Sequence, residues 1–348
     1  MNRNLTVVLI AYGPQAETGL ERELFAKAGV EVRHLAELEA PATRAALAVG
    51  AALMVTTQPV TADLLRHMPK CRIVSRVGVG LDSIDVDAAT ERGIWVANVP
   101  DYAVDEVSTH AVALLLAHAR KLPQLLQLPS QGIWDPSLVG TIERLSGQTL
   151  GLLGFGRIGR AVSAKARALG LNILVHDPLV SIDIVKKAHA SLVPFEVLLR
   201  SADYVSLHVP LTPSTLHIIN AQALSLMKRS AFLINTARGP LIDERALLEA
   251  MRRRSIAGAA VDVLEVEPPP RDHPFFHEDG IWITPHAAWY SEASRRDVRV
   301  KAAAEVLRVL QGRKPRSPVN SPHIAAGRNR LVKPTARRPR KEEIQVGA

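Results

Sequence analysis

Short apolar runs alternate along this chain with longer stretches in which apolar positions recur every three or four residues. Strand-like runs fall at residues 6–10, 31–34, 52–56, 73–76 and 95–98. Helical spacing fills residues 18–28, 42–49 and 62–67, and a helix capped by Asp82 runs to about Arg92. Strand and helix taking turns at this pitch predict a parallel sheet covered on both faces. A longer helix follows over 105–120, where Val107, Ala111, Leu114 and Leu115 share a face, and it ends before Pro123. Residues 124–147, with Gly, Pro and Trp134, read as irregular. The alternation then resumes, with strands at 150–153, 173–176, 204–208, 231–235, 259–263 and 282–284 and a helix at 158–169. An amphipathic helix over 291–310 has no strand after it, so it can pack back on the first unit. The expected architecture is α/β, with two doubly wound parallel-sheet domains. One is residues 1–104 plus 292–320, and the other is 105–291.

Length agrees, since 348 residues exceed one ordinary core. No apolar run reaches membrane-spanning length, and no signal peptide is read at the N-terminus. The single cysteine, Cys71, excludes an intramolecular disulfide and fits a reducing cytoplasm. Beside Ile73 and Val74 it reads as a small buried filler rather than a nucleophile. The net charge of +9 is concentrated in the 321–348 tail, where seven basic residues from Arg328 to Lys341 precede Glu342 and Glu343. That tail reads as disordered and solvated. Contact with nucleic acid or an acidic partner is the alternative, and no aromatic residues interleave with its charges to support base stacking.

The segment Gly154-Phe155-Gly156-Arg157-Ile158-Gly159 has the spacing G-x-G-x-x-G. It lies between an apolar strand and an Ala-rich helix, and the next strand ends at Asp177, 23 residues beyond Gly154. Gly154 permits a tight turn, Gly156 a close approach of backbone to pyrophosphate, and Gly159 close packing of helix on strand. The helix N-terminus offers N–H donors to the phosphates. Asp177 can accept both ribose hydroxyls and would repel a 2′-phosphate, so NAD is the expected cofactor rather than NADP.

Three further residues follow successive strands of the second unit: Arg238 in Asn-Thr-Ala-Arg-Gly, Glu267 in Glu-Val-Glu-Pro, and His286 in Thr-Pro-His. In an open parallel sheet these positions converge on the edge where ligands bind. The set suits reduction of a 2-keto acid. A histidine oriented by a carboxylate can protonate the oxygen as hydride reaches the carbon. A fixed arginine can bind the anionic substrate and polarise its carbonyl. No metal is called for. Taken singly, each has a plain alternative as a capping, ion-pairing or solvated loop residue.

At these residues the chain resembles the D-isomer-specific 2-hydroxyacid dehydrogenase family. The resemblance reaches to about Val319 and rests on Arg76–Asp85, the glycine segment, Leu207–Thr212, Asn235–Gly239 and Pro285-His286. Ala287–Glu292 is most similar to the C-terminal-binding-protein branch. The resemblance implies a flavodoxin-like substrate domain and a Rossmann NAD-binding domain, dimerisation through the latter, and a cleft that closes on ligand. It makes Arg238, Glu267 and His286 the catalytic trio. It implies cofactor contacts from Arg157, Ile158, Asp177, the 209–215 loop with Val209, Pro210 and Thr215, Thr236, Ala237 and Asp262. It assigns substrate contacts to the amides of Val77 and Gly78, and to Arg76 and Trp289. Two readings of function stay open: a glyoxylate- or hydroxypyruvate-reductase-like enzyme acting on a small 2-keto or D-2-hydroxy acid, and an NAD(H)-sensing interaction protein like the transcriptional corepressors. Phosphoglycerate oxidation ranks lower, because no cluster of cations near Arg76 awaits a phosphate. Glu267 argues against a formate dehydrogenase.

Overall fold

The computed structural model describes residues 6–13, 17–38 and 40–323, so the basic tail lies outside the described residues. The chain divides into two compact units, Met1–Tyr102 with Glu292–Ala348, and Ala103–Ser291.

The first unit holds five strands, β1 (Val7–Ala11), β2 (Glu31–His34), β3 (Gly50–Val55), β4 (Ile73–Arg76) and β5 (Trp95–Ala97). They pair in parallel in the order β2-β1-β3-β4-β5, which is the flavodoxin-like order. Alternation along β1 decides its two faces. Val7, Leu9 and Ala11 enter one buried cluster, while Val8 and Ile10 enter another. The second cluster is closed by the helix Glu292–Leu310, through Val298, Ala302, Ala303, Val306 and Val309. An ion pair to a buried carboxylate fixes that helix: the part-buried Arg299 donates from Nε to Glu21 Oε1 (2.6 Å) and from a terminal nitrogen to Oε2 (2.5 Å). Glu21 is fully buried, and Tyr12 donates its hydroxyl to the same carboxylate at 3.1 Å. Burial, and then the Glu21 charge, push the Tyr12 phenol up. Beyond the helix the chain returns to the sheet edge, where Asn320 Oδ1 accepts the Val96 N–H at 2.8 Å. Cys71 is buried.

The second unit holds β6 (Thr149–Leu153), β7 (Asn172–His176), β8 (Ser191–Leu192), β9 (Tyr204–Leu207), β10 (Phe232–Asn235), β11 (Gly258–Val261) and β12 (Ile281–Ile283). All pairings are parallel, in the order β12-β11-β10-β9-β6-β7-β8. The order reverses between β6 and β9, the switch point at which doubly wound sheets bind nucleotides. Both units are therefore parallel-sheet α/β domains.

Two local expectations are corrected, and one short strand is new. The 124–147 segment is not wholly irregular, since a helix spans Leu122–Ser130 and a 3-10 turn Pro136–Val139. The preceding helix does end before Pro123, at Ala119, and Pro123 lies in the first turn of the next one, where a missing N–H costs no intrahelical bond. Leu122, Leu125 and Leu126 recur there at helical spacing, but Pro123 and Pro129 read as breakers, and the helix buries no residue. Asp85, not Asp82, caps the helix Val86–Glu91, accepting the Ala88 N–H at 2.9 Å. β8 is only two residues long, too short for a periodic signal. No helix among the described residues is long and apolar enough to cross a membrane.

Candidate active site

Parallel pairing brings the segments after β6, β7, β9, β10, β11 and β12 to one edge of the second unit. The glycine turn after β6 is dictated by backbone crowding. Gly154 has φ +96°, and a Cβ there would stand 2.6 Å from the His208 carbonyl oxygen. A Cβ on Gly159 would stand 2.3 Å from the Gly154 carbonyl oxygen. Gly156 begins the helix Arg157–Ala168 with no side-chain cap, and a Cβ on it would meet nothing within 4 Å. The first N–H groups of this helix, on Arg157, Ile158 and Gly159, thus form an anion site open to backbone approach. Asp177 accepts N–H bonds from Phe155 (2.8 Å) and Leu179 (2.9 Å), which lock the end of β7 against the turn. Val209 and Pro210 open the loop after β9, which Thr215 closes by donating to the Pro210 carbonyl at 2.7 Å. After β10, Ala237 N–H donates to Asn235 Oδ1 at 3.0 Å, and Thr236 holds a buried hydroxyl with no hydrogen-bond partner among the described residues. An unsatisfied buried hydroxyl costs about 1–3 kcal/mol, so a ligand polar group there would be favoured. Capless helix, crowded glycines and orphaned hydroxyl together fit a bound dinucleotide.

The three chemically distinctive residues meet on the same edge. His286 Nδ1 lies 2.5 Å from Glu267 Oε2, and Glu267 Oε1 accepts the Leu264 N–H at 2.9 Å. Burial alone would push the Glu267 carboxyl up. The hydrogen bonds from His286 and Leu264, with the charges of His286 and Arg238, outweigh it and hold the acid below its ordinary range. Arg238 follows β10 and donates to the Ala237 carbonyl at 2.6 Å. His286 sits in the left-handed region at φ +51°, a conformation that needs outside support. Asp262 supplies it. His286 N–H donates to the Asp262 carbonyl (2.8 Å), and the Asp262 carboxylate accepts the N–H groups of Ala287 (2.8 Å) and Ala288 (2.9 Å). The Thr284 hydroxyl donates to the same carboxylate at 2.5 Å, so His110 Nε2, 3.1 Å from that hydroxyl, acts as the donor there. Sequence reading expected only a cofactor contact from Asp262 and missed His110. Asp262 is 2% exposed, and its first task is to shape the loop that carries His286.

The family model described as D-isomer specific 2-hydroxyacid dehydrogenase, NAD binding domain, matches residues 112–288. The chain belongs to this dehydrogenase family. Within the family it is 40% identical over 276 residues to D-3-phosphoglycerate dehydrogenase of Methanocaldococcus jannaschii, covering 79% of this chain and 52% of that protein. It therefore spans about half the length of that relative. It is 38% identical over 274 residues to glyoxylate reductase of Korarchaeum cryptofilum, covering 78% of this chain and 82% of the reductase. Among solved structures, D-lactate dehydrogenase from Aquifex aeolicus, complexed with NAD and lactic acid, superposes with a TM-score of 0.79 at 28% identity, covering 88% of this chain and 96% of that one.

In this dehydrogenase-family chain the first-unit residues need one correction. The Val77 N–H is not available to a substrate carboxylate, because it donates to the Val55 carbonyl at 2.8 Å and extends the β3–β4 ladder by one residue. Gly78, with φ +154°, is the remaining amide of that pair. The Arg76 guanidinium folds onto its own loop, donating to the carbonyls of Gly80 (3.0 Å) and Val77 (2.8 Å). In the second unit the half-buried Trp289 ring packs edge-on against Tyr290, with centroids 5.6 Å apart.

Proposed function

We propose that this chain transfers hydride between NAD(H) and the C2 carbon of a small 2-keto or D-2-hydroxy acid. The 2.5 Å contact between His286 Nδ1 and Glu267 carries the reading. With Glu267 accepting at Nδ1, the ring presents Nε2 to the substrate oxygen. In the reducing direction Nε2–H donates its proton as the C2 carbonyl becomes an alcohol, and in the oxidising direction Nε2 accepts it. Bound NADH supplies the hydride. Arg238 binds the carboxylate and stabilises charge growing on the carbonyl oxygen. Gly154, Gly156, Arg157, Ile158 and Gly159 receive the pyrophosphate. Asp177 binds the ribose, and the 209–215 loop, Thr236, Ala237 and Asp262 complete the nucleotide contacts. The first unit is proposed as the substrate domain, with Gly78 and Arg76 as carboxylate contacts, and Trp289 shapes the substrate's surroundings. The test is loss of NADH absorbance with glyoxylate, hydroxypyruvate and bulkier 2-keto acids. Turnover is expected with the small ones, and tight NADH binding with no turnover of any acid defeats the reading.

Asp177→Ala is expected to narrow the preference for NADH over NADPH by on the order of tenfold, measured as the ratio of kcat/KM values. An unchanged ratio removes the basis for the ribose assignment.

The similarity of Ala287–Glu292 to the C-terminal-binding-protein branch supports a second reading, an NAD(H)-sensing interaction protein. Glyoxylate reduction that is absent while NADH still binds would favour it. A homodimer is proposed on the apolar side chains exposed from the Leu122–Ser130 helix onward, namely Leu122, Leu126, Trp134 and Leu138. A monomer mass in sedimentation would overturn that proposal. A reducing, cytoplasmic setting suits the lone thiol of Cys71.

A further inference from the structure

The turn that carries Glu267 is gripped by four side chains that no step of the reaction uses. Its hub is Leu264. The Leu264 N–H donates to Glu267, and its backbone lies so close to Gly239 that a Cβ there would stand 1.9 Å from the Leu264 carbonyl carbon. The next residue, Glu265, makes a reciprocal pair with Glu244, the first residue of the helix Glu244–Arg252. Glu265 N–H donates to Glu244 Oε1 at 2.9 Å, and Glu244 N–H donates to Glu265 Oε1 at 3.4 Å. Each carboxylate also meets a histidine. His217 Nε2 lies 2.9 Å from Glu265 Oε1, and His273 Nε2 lies 3.1 Å from Glu244 Oε2. Phe275 N–H points at His273 Nδ1 (3.4 Å), so the His273 proton sits on Nε2 and is donated to Glu244. His217 is itself held by its N–H on the Pro240 carbonyl at 2.8 Å, two residues from Arg238.

Two acids brought side by side repel one another, a repulsion that the paired N–H groups and histidines offset. Here they join the segment after β10, which bears Arg238, to the segment after β11, which bears Glu267. Glu265 stands two residues before Glu267, so anchoring its N–H and carboxylate removes most of the freedom of the Glu267 backbone. We propose that Glu265, with Glu244, is a positioning residue for Glu267, fixing the 264–267 turn so that the Glu267 carboxylate meets His286 Nδ1. This inference rests on the reductase reading above, in which that contact orients the proton donor.

The experiment compares the full-length wild-type chain with Glu265→Ala, Glu265→Gln and His286→Ala, using glyoxylate and NADH. Misplacement of a reacting group by about 1 Å can lower a rate about 100-fold, so Glu265→Ala is expected to reduce kcat by about 10- to 100-fold with KM for NADH unchanged. Glu265→Gln keeps an oxygen that accepts from His217 and the Glu244 N–H, and is expected to restore kcat to within about threefold of wild type. The far-downfield proton resonance of a short His–carboxylate bond is expected in wild type and Glu265→Gln, and lost in Glu265→Ala. Wild-type kcat in Glu265→Ala, or a Glu265→Gln as impaired as Glu265→Ala, overturns the positioning role. A wild-type chain that reduces no keto acid, or a His286→Ala as fast as wild type, defeats the reductase reading instead. The proton resonance then decides the positioning role alone, and its survival in Glu265→Ala overturns it.

Discussion

His286→Ala is expected to lower kcat for 2-keto acid reduction by about 10²- to 10⁴-fold, the usual contribution of a placed general acid. NADH affinity should stay within about twofold, because the substitution removes a proton donor and leaves the glycine turn intact. The loop need not collapse, since Ala287 and Ala288 remain held by the Asp262 carboxylate. Fluorescence titration of NADH beside steady-state kinetics separates the two quantities. Equal losses in binding and turnover would mean that His286 maintains the fold of the site, and the acid role would fail.

Arg299→Ala should destabilise the first unit by about 3–5 kcal/mol, the range measured when one member of a buried ion pair is removed. The size follows from what is left behind. Glu21 is fully buried, and without the guanidinium its remaining side-chain partner among the described residues is the Tyr12 hydroxyl. Replacing both members, Glu21→Met with Arg299→Met, should recover much of the loss, because the stranded charge is then gone. Denaturant unfolding followed by a probe in the first unit reads both variants. A single substitution as mild as the double one would show that the pair carries no buried charge.

Legibility followed the range of each interaction. The strand Val7–Ala11 was plain in the chain because a parallel strand buried on both faces is written as an unbroken apolar run. The glycine turn was plain because crowding at Gly154 and Gly159 leaves no room for a side chain within one short motif. Arg238, Glu267 and His286 could be named because each follows a recognisable strand, although their separation in sequence hid the contact itself. Functions set by loops meeting in space were illegible. Asp262 reads as one acid after a strand, and its hold on Thr284, Ala287 and Ala288 exists only once β11 and β12 are paired. Val77 looked available because nothing local reveals that Val55 takes its N–H. The helix Leu122–Ser130 was hidden by Pro123 and Pro129, which read as breakers although Leu122, Leu125 and Leu126 keep helical spacing.

The split of the first unit across the chain has a temporal meaning during synthesis. The five strands through Ala97 emerge early, yet one face of their sheet, partly covered by Phe25 of the helix Gly19–Ala26, is not closed until the residues up to Leu310 have left the ribosome. Everything the second unit needs lies between Ala103 and Ser291, so it can close while its older neighbour still waits for a lid made last.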